Sequence, residues 1–139
     1  MSSDLKEKAK RIIEQRQLCS CMNDTKWNEL RSAMMNEMPF QPPFIVKFLF
    51  DEQCYGEAEF QKGSYHTDDW YYALSIEGEL FDAAFAVEWI KVRPSYLKNA
   101  GRLIPPQVVS AEDEFNAILK KYNIPFEEKD GVYCIYGYR

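Results

Sequence analysis

Residues 44–50 read Phe-Ile-Val-Lys-Phe-Leu-Phe, a run of aromatic and branched side chains with a single lysine inside it. Such residues favour a β-strand, because their planar or branched side chains pack well on a pleated surface. Alternation along the strand places Phe44, Val46, Phe48 and Phe50 on one face. The run therefore predicts a strand with that face against a hydrophobic core.

Two helices are predicted before this strand. Residues 4–17 carry apolar side chains at helical spacing with charges between them, which is typical of an amphipathic helix. A second helix is expected to end near Asn36, because three prolines follow and a proline cannot continue a helix. Asn23, Asp24 and Thr25 each offer a side-chain oxygen that caps a helix N-terminus, so the second helix begins among them.

A third helix and a hairpin are predicted at the C-terminal end. Ser110 offers a capping hydroxyl before a cluster of three acids, and Pro125 ends the helix. Asp130-Gly131 then separates residues 126–128 from residues 132–138, and glycine tolerates the positive φ angle of a tight hairpin turn. We expect the two flanking segments to pair as antiparallel strands.

The central part of the chain predicts the remaining strands. They are expected around residues 55–60, 70–76 and 85–92, whereas prolines and a glycine break up any period in residues 95–109, which we interpret as a connection. Strands separated by turns, with helices mainly at the two ends, predict an α+β fold. We expect an antiparallel sheet of about five strands, helices packed on one face, and an N-terminal amphipathic helix.

Length and composition restrict the class of protein. A chain of 139 residues supports one hydrophobic core, so we expect a helical extension over residues 1–21 and a single α+β domain over residues 22–139. The formal net charge of −5 argues against a nucleic-acid partner. No apolar stretch is long enough to cross a membrane or to act as a secretory signal, so we predict no membrane association and a cytoplasmic location.

Four segments together carry a resemblance. Residues 22–27 read Met-Asn-Asp-Thr-Lys-Trp, residues 88–94 read Glu-Trp-Ile-Lys-Val-Arg-Pro, residues 124–127 read Ile-Pro-Phe-Glu, and residues 136–138 read Tyr-Gly-Tyr. The chain resembles a bacterial domain-of-unknown-function family of small proteins with an Asn-x-Thr-Lys-Trp opening. The resemblance implies a cytoplasmic bacterial domain without an established activity, and it supplies no catalytic residues.

Five residues of these segments have simple structural interpretations. Thr25 is expected to cap the second helix. Trp27 and Trp89 are expected in the core, because large aromatic side chains bury much apolar surface. Lys26 and Glu88 are expected to form a surface ion pair, which contributes little to stability.

One group of residues has the composition of a catalytic site. His66 is the only histidine, so any mechanism that needs an imidazole base depends on it. Cys54 with His66 and either Asp68 or Asp69 is the one nucleophile, base and acid combination nearby in sequence. A hydrolase-type enzyme is therefore an alternative hypothesis, and the competing interpretation is a loop histidine beside solvated acids.

The four cysteines allow a second alternative, a zinc-stabilised module. Cys19-Ser20-Cys21 supplies two thiols, but structural zinc sites usually space such a pair by two to four residues and need two more ligands. Cys54, His66 and Cys134 are the candidates for those ligands. Reduced cysteines without a metal are the simpler interpretation, and we predict neither a metal nor another cofactor.

The leading hypothesis rests on acids and tyrosines gathered in residues 51–72. Tyrosine offers contact area with a polar tip, and acids speed the encounter with a basic partner. This predicts a non-enzymatic protein-binding module, in its most concrete form a toxin-neutralising or adaptor protein, with a homodimer through the N-terminal helix or an exposed strand left open. The candidate binding residues are Asp51, Glu52, Tyr55, Glu57, Glu59, Tyr65, Asp68, Asp69, Tyr71 and Tyr72.

Overall fold

The computed structural model describes residues 2–54, 56–62, 84–98, 101–105 and 107–139. These residues form four helices and six strands. The helices are α1 Ser2–Arg16, α2 Asp24–Asn36, α3 Glu57–Lys62 and α4 Glu112–Lys121. The strands are β1 Phe44–Phe48, β2 Val87–Val92, β3 Ser95–Lys98, β4 Gln107–Ser110, β5 Glu127–Lys129 and β6 Val132–Tyr136.

The strands form two antiparallel sheets. The larger sheet has the order β1-β2-β6-β5, and β3 pairs with β4 in a separate hairpin. Phe44 lies opposite Val92 in the larger sheet, so the start of β1 is beside the end of β2. The predicted α+β class with an antiparallel sheet and an N-terminal helix is confirmed.

The main core lies between one face of the larger sheet and helices α2 and α4. Its fully buried side chains come from both helices and from three strands. Burying such large apolar side chains is the main favourable term in folding. The side chains are Leu30, Met34, Phe44, Ile90, Val92, Phe115, Leu119 and Ile135.

A second, smaller cluster lies on the opposite face of the sheet. Phe60 of α3 packs there with Ile45, Trp89, Val132 and Cys134. The short helix α3 is thus held against the face that α2 and α4 leave uncovered.

Two predicted local signals have the expected geometry. The backbone N–H of Lys26 donates to Asn23 Oδ1 at 2.8 Å, so Asn23 caps α2 and Thr25 does not. The β5–β6 turn places Asp130 at φ 53° and Gly131 at φ 81°, as the hairpin required. The predicted Ser110 cap of α4 is wrong in position: Ala111 occupies the N-cap without a side-chain hydrogen bond, and Ser110, one residue earlier, accepts a hydrogen bond at Oγ from the Glu112 N–H at 3.4 Å.

Two predictions in the central part of the chain are wrong. Residues 57–60, predicted as part of a strand, belong to helix α3, in which the Phe60 N–H donates to the Gly56 carbonyl at 3.0 Å. Glutamate, alanine and glutamine favour a helix, and the segment is too short for alternation to outweigh that preference. Residues 95–109, predicted as an irregular connection, contain strand β3 and most of strand β4, which pair with each other. Pro105 lies in the turn between the two strands. The strand predicted at residues 70–76 lies outside the described residues.

The N-terminal segment joins the sheet near the C-terminus. Ser20 forms a bridge with Tyr138, the Cys19 and Arg139 backbones exchange hydrogen bonds of 3.1 and 2.9 Å, and Ala9 of α1 is buried. The division at residue 21 stays a prediction. Within the described ranges, no helix combines the length and the apolar character needed to span a membrane.

Candidate functional site

The sheet face opposite α2 and α4 carries buried charged side chains, and we call it the charged face. Lys47 is 8% exposed and Glu88 9% exposed. Lys47 pairs with Trp89 and Phe48 with Val87, so Glu88 has no partner of its own on β1. Such an extra residue bends the strand locally and redirects its side chain.

The Glu88 carboxylate accepts hydrogen bonds from two cations. Arg16 at the end of α1 donates from Nη1 at 2.6 Å and from Nη2 at 3.3 Å, and Lys47 Nζ donates at 2.8 Å. Burial raises the pKa of Glu88, but the hydrogen bonds from Arg16 and Lys47 outweigh it and leave this pKa below its usual value. The result is an ion triad with one net positive charge, in which Lys47 and Glu88 are buried and Arg16 is partly exposed, and it holds the end of α1 against the sheet.

The structure revises the interpretation of the resemblance residues. Trp27 and Trp89 are buried, at 5% and 7% exposure, as predicted. The predicted Lys26–Glu88 surface pair is wrong, because Glu88 is occupied by the triad and Lys26 Nζ donates to the Asn123 carbonyl at 2.5 Å. The triad itself was missed, although a glutamate and a lysine inside otherwise apolar strand sequences were its signal.

A second charged pair lies farther along the same face. Lys91 Nζ donates to Glu57 Oε1 at 2.8 Å and to Gln61 Oε1 at 3.4 Å, and it sits 5.2 Å from the centre of the Trp89 ring. These contacts join α3 to β2. The positive charge of Lys91 is therefore compensated by the carboxylate of Glu57.

A groove of about 610 Å³ borders Lys91 at the β5–β6 side of the face. Burial, followed by the neighbouring Cys134, raises the pKa of Tyr136 to about 12, and burial also raises the pKa of the Cys134 thiol. Both groups are thus protonated near neutral pH, which disfavours them as bases or nucleophiles. The groove is lined by Gln61, Lys91, Glu127, Glu128, Lys129, Val132, Cys134 and Tyr136.

Three of the predicted binding residues come together where the chain leaves β1, and we call Asp51, Glu52 and Glu57 the acidic corner. Asp51 and Glu52 are exposed, and Asp51 Oδ2 accepts a hydrogen bond from the Phe48 N–H at 3.3 Å. The Glu57 side chain keeps 40% exposure despite its pairing with Lys91. The corner therefore presents carboxylates to solvent.

Cys54 lies beside the acidic corner. Its Sγ donates to the Val46 carbonyl at 3.3 Å. Burial, followed by the nearby charges of Glu57 and Asp51, raises the pKa of the Cys54 thiol to about 11, against weaker opposing effects of Lys91 and Lys47. At neutral pH this sulfur is a protonated thiol and a poor nucleophile.

This thiol predicts a measurable pH dependence. In a C19S/C21S background, alkylation of Cys54 by iodoacetamide, followed by peptide mass spectrometry, should keep accelerating up to a pH near the pKa of about 11. An ordinary thiol reaches its plateau about two pH units earlier. A rate that levels off below pH 9 contradicts the assigned environment, and the unfolded protein in urea provides the ordinary reference.

The remaining candidate residues lie outside what the structure describes. Glu59 belongs to α3, but nothing is described of its side chain. The catalytic combination of Cys54 with His66 and Asp68 or Asp69, and the tyrosine part of the binding surface, therefore stay predictions. The residues concerned are Tyr55, Tyr65, His66, Asp68, Asp69, Tyr71 and Tyr72.

The four cysteines, which were the candidate zinc ligands together with His66, differ in their exposure to solvent. Cys19 is exposed, Cys21 and Cys54 are half-buried, and Cys134 is buried; these four, all in the described ranges, form no disulfide. Among the residues with described positions, no three His, Cys, Asp or Glu side chains are grouped so that they could hold a metal ion. The zinc hypothesis, which includes His66, stays a prediction.

Comparison with known protein families identifies the family of this chain. The model of a family of unknown function, DUF6678, matches residues 9–139. Neither the curated proteins nor the solved structures contain a match.

Proposed function

Because the chain belongs to DUF6678, a family of unknown function, we propose its function from its own surface: it is a non-enzymatic protein-binding module. The acidic corner holds a basic surface of another protein. A toxin-neutralising or adaptor role in the bacterial cytoplasm, the setting that the Asn-x-Thr-Lys-Trp resemblance implies, is the concrete form of this proposal.

The observation that carries the proposal is the exposure of carboxylates at one corner of the sheet. Asp51 and Glu52 are adjacent in sequence and both face solvent. Glu57 and Asp51 both act on the same Cys54 sulfur, so the α3 carboxylate and the turn carboxylate share one neighbourhood. Clustered charge of one sign attracts a partner of the opposite sign and orients it during the encounter.

The state of Cys54 supports binding over hydrolysis. A thiol nucleophile needs a lowered pKa or a base that takes its proton. Here burial and two carboxylates raise the pKa, and the hydrogen of the thiol points to a backbone carbonyl. The hydrolase-type alternative requires His66 to lower the pKa of the Cys54 thiol or to take its proton.

The proposal is tested by capture from native lysate of the source cells with the tagged full-length chain. The D51N/E52K variant removes the charge of Asp51 but keeps an oxygen for the Phe48 N–H, and it reverses the charge of Glu52. We expect the variant to lose the captured protein, and we expect added salt to weaken the wild-type interaction, because the contact is electrostatic and exposed.

The matched control is D113N/E114K, which makes the same changes in an exposed Asp-Glu pair at the start of α4. It should capture the partner as the wild type does. A partner retained equally by all three proteins, or no partner at all, contradicts a binding role for the acidic corner.

A further inference from the structure

The β3–β4 hairpin exposes large apolar side chains. We call β3, β4 and the described turn residues 101–105 the arm. Leu103 is 97% exposed, Val108 68% and Ile104 54%. Val108 lies opposite Leu97 in the hairpin, and Leu103 and Ile104 lie in the turn. Large apolar side chains gathered on one exposed hairpin are typical of a surface that another molecule covers.

The arm also differs from the rest of the chain in charge. Residues 95–110 contain Lys98 and Arg102 and no acid. Both cations are exposed. The rest of the chain then has fifteen lysines and arginines against twenty-two acids. The surface that complements the arm is therefore acidic, with apolar area beside the acids.

The acidic corner has both of these properties. Asp51 and Glu52 supply the exposed carboxylates, and the adjacent Phe50 is only half-buried. Lys8 of α1 lies 5.3 Å from the centre of the Phe50 ring, so one side of this aromatic residue borders a charged, solvated surface. Apolar and acidic groups thus lie side by side, as they must to receive the arm.

Within one copy, the arm and the acidic corner lie at opposite ends of β1. The arm begins beside the start of β1, where the Arg93 N–H donates to the Pro43 carbonyl at 3.1 Å and the Tyr96 ring packs edge-on against Phe40 at 4.8 Å. Asp51 and Glu52 of the acidic corner follow the last residue of β1, about 14 Å farther along the strand. A contact between the two surfaces therefore joins two copies.

We propose that the arm of one copy docks on the acidic corner of a second copy in a two-fold symmetric dimer. This inference rests on the proposed function, since it names a partner for the same corner. Lys98 and Arg102 face Asp51 and Glu52, and Leu103 and Ile104 are removed from water near Phe50. Two-fold symmetry forms the contact twice, because each copy contributes one arm and one corner.

The test is sedimentation velocity of the full chain over a wide range of concentration. The wild type is expected to form a dimer, and D51N/E52K or K98E/R102E alone should raise its dissociation constant at least about tenfold, because each places like charges against each other. An equimolar mixture of the two variants should dimerise again. In that mixture each basic corner meets an acidic arm, and each acidic corner meets a basic arm.

The outcomes separate this inference from the proposed function. A dimer that both variants weaken and the mixture restores supports the inference. A chain that stays monomeric but captures a lysate protein through Asp51 and Glu52 overturns it and leaves the proposed function standing. A dimer whose dissociation constant neither variant changes also overturns it. A monomer that binds vesicles of anionic lipid, and whose L103S/V108S variant no longer binds them, overturns it as well.

Discussion

Replacing Gly137 by alanine is expected to destabilise the protein by about 3 kcal/mol or more. A Cβ atom on Gly137 would lie 2.1 Å from the Val87 carbonyl oxygen and 3.2 Å from Trp27 Cζ2. The Val87 carbonyl belongs to the backbone and cannot rotate away, so one of the two backbone segments must shift. The Gly137 N–H donates to the Glu88 carbonyl at 2.7 Å, and its own carbonyl accepts from the Cys21 N–H at 2.8 Å. Any shift therefore disturbs both β2 and the segment before α2.

Urea unfolding followed by tryptophan fluorescence measures this effect. The matched control is Gly131→Ala, in the β5–β6 turn, where the nearest atom to an added Cβ is Arg93 Nη1 at 3.6 Å. Gly131 has a φ of 81°, so alanine there is strained without a clash and should cost about 1 kcal/mol. If the two variants lose equal stability, the close approach of Gly137 to β2 is wrong.

The elements that the sequence predicted are those whose signal is local. Asn23 caps α2 with its own side chain, and Asp130-Gly131 forms a hairpin through its own φ angles. The apolar residues of β1 and α4 repeat at the period of their own element, so neither prediction needed knowledge of a partner segment. Local rules were also sufficient for the fold class.

The features that the sequence did not predict depend on distant contacts. Helix α3 has six residues, and its only deeply buried apolar side chain, Phe60, is fixed by strands far along the chain. Arg16 and Glu88 are separated by 72 residues, and nothing near either residue indicates the other. Of the candidate site, the sequence located the exposed acids of the corner, but it could not show that Glu57 would pair with Lys91.

Replacing Glu88 by alanine is the second change with a large expected effect, about 3 kcal/mol of lost stability. The variant leaves Lys47, which is 8% exposed, without its carboxylate partner in a nearly dry position. A buried charge that loses its partner retains the full cost of its desolvation. Arg16→Ala should cost far less, because the Arg16 side chain is 44% exposed and water replaces its contact.

The K47M/E88L double variant distinguishes this explanation from simple loss of packing. If E88A loses stability because the buried Lys47 ammonium has lost its carboxylate partner, K47M/E88L should recover most of that stability, since it replaces both charges by apolar side chains of similar size. If the cost comes from the cavity, E88L alone should be as stable as K47M/E88L, because both variants fill the space that Glu88 occupied. Urea unfolding of the wild type, E88A, E88L and K47M/E88L decides between the two explanations.

The pH dependence of Glu88→Gln provides an independent check of the same carboxylate. The folded-state pKa of Glu88 is lowered, so its contribution to stability is complete above the unfolded-state pKa of about 4.3 and is lost as the pH falls through the lower folded value. Wild-type stability should therefore fall more steeply in acid than that of E88Q, and the gap between the two proteins should narrow below pH 4. Parallel curves would mean that the triad is not ionised as the geometry requires.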